Sequence, residues 1–128
     1  MNLKSIGHYK ETNHGIGCDL SIHEYLQKEC PENIEKICAY LDSGIPLIIS
    51  PGISEDVINP EHVIPGGNSE FTDGTWIWPG DLSYYVREYL LKVPDFFLDH
   101  IAENNWSVPI SDKDIDKESL VIDGIKLY

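Results

Sequence analysis

The alternation of apolar and polar positions places two helical stripes and a hairpin in residues 72–106. Leu82, Tyr85, Val86 and Tyr89 fall at i, i+3, i+4 and i+7, which is one face of a helix. Pro94, Phe97, Leu98 and Ile101 repeat that spacing. Pro94 cannot continue the first helix but suits the first turn of the second. Upstream, Phe71-Thr72 and Thr75-Trp76-Ile77-Trp78 flank Asp73-Gly74, a turn dipeptide between β-branched and aromatic residues. In a strand Trp76 and Trp78 point to one face and Ile77 to the other. Pro79-Gly80 ends that strand. Asp81 is positioned to cap the helix through its carboxylate, and Asn104-Asn105 is a left-handed stop. All 3 tryptophans and all 3 phenylalanines lie between Phe71 and Trp106, so this segment supplies either most of the core or a large binding face. Both stripes are satisfied by an interior role. Tyr84 and Arg87 are left facing outward, as a minor candidate contact.

The remainder of the chain carries shorter signals. A strand is expected in Leu3 to Tyr9 and a turn at Asn13-His14-Gly15. Ser21-Ile22-His23-Glu24 matches a capping box and predicts a short helix over about 22–29. Pro31 then begins a helix with Ile34, Ile37, Cys38 and Leu41 as its apolar stripe and Gly44 as its closing glycine. The run Ile45–Ile49 reads as a strand, confined by Pro46 to an edge or a strand start. Residues 51–70 form a long connection that is either functional or contains short elements. Its acids, Glu55, Asp56, Glu61 and Glu70, are expected to be solvated. Val108-Pro109-Ile110 is an extended piece and residues 111–119 a polar linker. Leu120-Val121-Ile122 and residues 125–128 flank Asp123-Gly124 as a closing hairpin. The expected fold is α+β, a single small domain over residues 1–128 with about four helices and short antiparallel strands and hairpins.

Composition narrows the function. At 128 residues and 41% hydrophobic content the chain can bury a core without staples. No apolar run approaches a membrane span, and the N-terminus lacks the apolar block of a secretory signal, so a cytoplasmic location is expected. Cys18, Cys30 and Cys38 make an odd count without a CxxC, which suits reduced thiols, with Cys38 on an apolar helix face. The net charge of −13 argues against nucleic acid or anionic membrane as partner and suits a basic one; it also suits simple solubility. The acids are spread along the chain, so the fold as a whole is acidic.

Motifs for chemistry are missing. The chain has no phosphate loop, dinucleotide fingerprint, nucleophile elbow or HExxH. His8, His14, His23, His62 and His100 are scattered, as surface or capping residues would be. No catalytic residue, cofactor or metal is expected.

The string Asp73-Gly74, Trp76-Ile77-Trp78-Pro79, Leu82-Ser83-Tyr84-Tyr85 and Val93-Pro94-Asp95-Phe96-Phe97 resembles a signature of small bacterial immunity proteins. These accompany polymorphic toxins of the contact-dependent growth inhibition and Rhs type. Leu41 with Gly44, and Ser50-Pro51-Gly52 with Asp56-Val57, are also similar, so the resemblance covers residues 34–108. It implies a protein that binds and blocks one cognate toxin C-terminal domain, most often a nuclease and therefore basic. Toxin contacts are expected from acids in loops: Glu55, Asp56, Glu61 and Glu70 first, then Asp112, Asp114 and Asp116. An acidic adaptor or regulatory domain, and a small enzyme with dispersed catalytic residues, are the alternatives. Oligomeric state is left open.

Overall fold

The computed structural model describes residues 2–9, 11–12, 20–27, 33–50, 52–116, 120–123 and 125–126. Their order is β1 (Asn2–Ser5), α1 (Ile34–Asp42), β2 (Ile45–Ile48), β3 (Ile53–Glu55), β4 (Val63–Pro65), β5 (Glu70–Thr72), β6 (Trp76–Pro79), α2 (Leu82–Tyr89), α3 (Asp95–Glu103), β7 (Val121–Ile122) and β8 (Ile125–Lys126). Single 3-10 turns occur at Ile22–Tyr25 and Asp112–Asp114. The fold is α+β, with three α-helices among the described residues where the sequence predicts about four. The expected turn at Asn13-His14-Gly15 lies outside the described residues, as do Pro31, Cys18 and Cys30.

The helix expected over 22–29 is reduced to four residues by tertiary contacts. Ser21 does cap it, accepting from the His23 N–H at 3.3 Å. The Glu11 carboxylate takes the Ser21 hydroxyl at 2.5 Å and the Ile22 N–H at 2.8 Å. The chain is then drawn straight into a bridge with residues 90–92. Lys92 donates to the Tyr25 carbonyl at 2.7 Å and Gln27 to that of Leu90 at 3.2 Å.

The main sheet has the order β2-β5-β6-β1-β7-β8. The β5–β6 hairpin forms around Asp73-Gly74, as its turn dipeptide predicts, and β7 pairs antiparallel with β8; Gly124 and residues 127–128 of the expected closing hairpin lie outside the described residues. The expectation of antiparallel strands is corrected for β1, which runs parallel to both β6 and β7. Parallel pairing joins segments far apart in sequence, so no local pattern announces it. Strand β1 also stops at Ser5 rather than reaching Tyr9. Strand β2 is at the sheet edge, where Pro46 costs no ladder bond.

The sheet separates two apolar clusters. On one side Trp78 packs with the stripes of all three helices, including Ile37, Cys38, Leu41, Tyr85, Val86, Phe97 and Ile101. On the other side Ile77 meets Leu3, Leu47, Leu120 and Ile122. The alternation of Trp76, Ile77 and Trp78 thus separates the two cores as predicted. Phe97, fully buried, has Tyr40, Trp76 and Trp78 rings at 6.5, 5.9 and 6.0 Å. Gly44 is required for a different reason from the one its helix-end position suggests. Its backbone is not left-handed; a Cβ there would lie 2.6 Å from the Trp78 ring and 2.8 Å from the Phe71 Cβ. Helix α3 stops where expected, with Asn105 and Trp106 both left-handed.

Candidate protein-binding face and its anchors

The long connection contains a second, two-stranded sheet. Strands β3 and β4 pair with Ile53 opposite Pro65, Ser54 opposite Ile64 and Glu55 opposite Val63. The two-residue period buries Ser54 and Ile64 and turns Ile53, Glu55, Val63 and Pro65 outward. Ile53 is 59% and Val63 52% exposed, and Ile48 and Ile49 just upstream are 40% and 63% exposed. This is where large apolar side chains concentrate on the surface, within a stretch from residue 37 to 86 that contains no Lys or Arg.

Two strands of three residues are not independently stable in water. The hairpin is held from below by Asp56, which is fully buried. Its Oδ1 accepts the Ile58 and Asn59 N–H groups at 2.8 and 2.9 Å. Its Oδ2 accepts the Tyr84 and Tyr89 hydroxyls of α2 at 2.7 and 2.5 Å. The Tyr85 hydroxyl accepts the Val57 N–H at 3.0 Å. Burial pushes the Asp56 carboxyl up, but the bonds from Tyr89, Asn59, Tyr84 and Ile58 outweigh it and hold the group below the usual Asp value. Burial raises Tyr84, with Asp56 adding to it, and lifts Tyr85 to about 12. The bond to Asp56, then burial, raises Tyr89.

A second carboxylate of the same kind sits in the β5–β6 turn. Asp73 accepts the Thr75 and Trp76 N–H groups on Oδ1 at 2.9 and 2.8 Å. On Oδ2 it accepts the Tyr40 hydroxyl at 2.6 Å and the His100 Nε2–H at 2.7 Å. A third buried acid, Glu70, meets His8 Nε2 at 3.1 and 3.0 Å, with both residues at most 4% exposed. Sheet register brings them together. Glu70 stands opposite Pro79 and β1 runs parallel along the far side of β6, so the residues after Ser5 arrive beside it.

These placements divide the predicted contact residues. Glu55 and Glu61 are exposed, on or next to the hairpin; Asp112 and Asp114 are exposed on the 3-10 turn and Asp116 is exposed just after it. Asp114 Oδ2 there accepts the Ser111 N–H at 2.8 Å, closing a local cap. Asp56 and Glu70, expected to be solvated, are interior hydrogen-bond centres. A carboxylate is buried only where donors surround it, and here α2 and His8 supply them. His8 is likewise an interior residue, contrary to the surface role expected of it. Tyr84, expected to face outward, is half-buried with its hydroxyl on Asp56, while Arg87 is exposed with Nη2 3.6 Å from Asp42. Asp81 occupies the N-cap position of α2, but its backbone is helical and its side chain makes no capping bond. One local signal pointed to the Asp56 turn: the Asn59-Pro60 pair three residues on, since an Asp can bond backbone N–H groups two and three residues ahead.

No group of three or more His, Cys, Asp or Glu among the described residues could hold a metal ion, and no described helix is long and apolar enough to cross a membrane. No protein-family model, curated protein or solved structure matches the chain.

Proposed function

We propose that this protein binds and neutralises a basic toxin domain, most consistently a nuclease, and so protects the cell that makes it. One observation carries the reading. The exposed apolar face of the β3–β4 hairpin is bordered by Glu55 and Glu61, in a region without a single Lys or Arg from residue 37 to 86, on a chain of net charge −13. Exposed apolar residues bordered by one sign of charge suit a protein interface with an opposite-charged rim. A surface evolved to grip phosphates is basic, and carboxylates can cover it. Opposite charge raises association toward roughly 10⁸–10⁹ M⁻¹s⁻¹ at low salt. Rapid capture is what protection from a toxin demands.

The test is association kinetics with the C-terminal domain of a candidate cognate toxin, as a function of ionic strength. The on-rate falls steeply with salt, and Glu55→Ala with Glu61→Ala weakens binding at least tenfold. A salt-independent on-rate would remove the electrostatic mechanism, and unchanged affinity would remove the hairpin from the interface. An enzyme is the competing reading, favoured by the His8–Glu70 pair at a groove of 360 Å³ also lined by Tyr9, Tyr25 and Phe96. The two separate at His8→Gln: folded protein with that change still neutralises toxin if the function is binding, and loses its effect if His8 is catalytic.

A further inference from the structure

The β3–β4 hairpin is joined to the rest of the molecule at its two opposite ends. At its base are glycines, Gly52 before β3 and Gly66-Gly67 after β4, and the Gly66 N–H donates to the Gly52 carbonyl at 3.0 Å. Gly66 is left-handed, at φ +68°, and Gly67 packs so closely on the Ser54 Oγ that no Cβ would fit. At the far end the Asp56 carboxylate takes the Tyr84 and Tyr89 hydroxyls, and the Tyr85 hydroxyl takes the Val57 N–H. Between the two ends the hold is slight. Of the strand residues, Ile64 alone puts an apolar side chain into the core. A cleft of 190 Å³ lies between Pro65 and Gly66 and the helix residues Asp42 and Ser83. Another of 260 Å³ lies between Ile53 and Glu55 and the residues Glu11 and Asp81. One feature works against closure. The Ser54 hydroxyl is buried with no hydrogen-bond partner among the described residues, and opening would return it to water.

We propose that the hairpin is a strap, hinged at Gly52 and Gly66-Gly67 and latched by Asp56, and that the protein partner binds its latched form. The inference rests on the proposed toxin-binding function and adds how that binding face is controlled. Latched, the strand pairing sets Ile53, Glu55 and Val63 on one outward face. Released, two strands of three residues lose the support that keeps them paired, and the face disperses. A partner that contacts the assembled face must then restore it, which subtracts from its affinity. The apparent dissociation constant is the intrinsic one divided by the latched fraction. Asp56 is fully buried and out of a partner's reach, so it acts as a positioning residue through the strap. Ser54 acts in the opposite sense, as a built-in opener. The two residues set the balance from inside the hairpin, and the partner draws it toward closure by preferring one form.

The test pairs amide hydrogen exchange of the full chain with its affinity for the C-terminal domain of a candidate cognate toxin, in variants of opposite sign. Asp56→Asn should speed exchange in residues 53–65 roughly tenfold or more, and Ser54→Ala should slow it roughly threefold. Tyr89→Phe keeps the ring and removes one latch bond, so it should act as Asp56→Asn does with a smaller effect. Affinity should fall roughly threefold or more with Asp56→Asn, in line with the latched fraction read from exchange. Adding Ser54→Ala to Asp56→Asn should recover about half of that loss. This rescue separates a latch from a contact, because a serine that touched the partner would weaken binding when lost. Faster exchange in Ser54→Ala, no rescue in the double variant, or full affinity in an Asp56→Asn chain whose hairpin exchanges freely would each overturn the strap. If the unmodified chain does not bind the toxin domain, the proposed function falls, and the exchange rates of the variants still decide whether the hairpin opens about its latch.

Discussion

Asp56 in the hairpin and Asp73 in the β5–β6 turn carry the same wiring. Each Oδ1 accepts backbone N–H groups from residues two and three further along, and each Oδ2 accepts two side-chain donors. They differ in where those side chains come from. Asp73 draws Tyr40 from α1 and His100 from α3, so one carboxylate ties the sheet to two helices. Asp56 draws Tyr84 and Tyr89 from α2 alone, so it ties one peripheral hairpin to one helix. The same device therefore does global work in one place and local work in the other.

The largest effect should follow from disturbing the global node. Asp73→Asn replaces an acceptor with an amide that confronts the Tyr40 hydroxyl and His100, leaving buried donors unmet at a cost of roughly 3 kcal/mol or more. Urea unfolding would show a lower midpoint with the same slope. Equal stability would mean that Asp73 is not a node at all. Asp56→Asn breaks the hairpin's attachment and should cost less in global unfolding, about 1–2 kcal/mol. Its main consequence would be local opening around residues 53–65.

pH sharpens the contrast further. The Asp56 carboxyl is held below its ordinary value, so its contribution is complete above the unfolded Asp pKa of about 3.9 and is lost as pH falls through the folded one. The opposite limb belongs to the tyrosines. Tyr40, Tyr84, Tyr85 and Tyr89 are all raised, so their contribution is complete below an unfolded pKa of about 10 and is lost as pH rises toward their folded values, about 12 for Tyr85. Urea midpoints across pH should fall at both ends, and Asp56→Asn should shallow the acid limb. An unchanged acid limb would contradict the role given to Asp56. The smallest effect should come from Asp114→Ala, which removes a cap on an exposed 3-10 turn. Less than about 1 kcal/mol is expected by thermal melting; a larger loss would mean that the 111–116 segment supports the fold more than its exposure indicates.

Much of this architecture was legible because its causes are local. The Asp-Gly turns, the two helical stripes and the alternation of Trp76, Ile77 and Trp78 each depend on neighbours a few residues away. The carboxylate nodes were not legible for the opposite reason. Tyr84 and Tyr89 lie 28 and 33 residues beyond Asp56, and His8 lies 62 residues before Glu70. An acid in a Pro- and Gly-rich connection reads as solvated until the donors that bury it are placed. Parallel pairing of β1 was hidden in the same way. Of the contact residues expected from loop acidity, Glu55 and Glu61 keep their place at an exposed apolar face. The apolar half of that face, Ile53 and Val63, is not legible in the sequence because a three-residue strand is too short to show its alternation.

The most direct test of the account is amide hydrogen exchange on the unmodified chain, Asp56→Asn and Asp73→Asn side by side. The account predicts that Asp56→Asn loses protection selectively in residues 53–65 while β6 and α3 stay protected. Asp73→Asn should lose it across the sheet and helices together. If Asp56→Asn instead loosens the whole molecule, or leaves the hairpin as protected as before, the hairpin is not a separately anchored platform, and the binding face proposed upon it loses its physical basis.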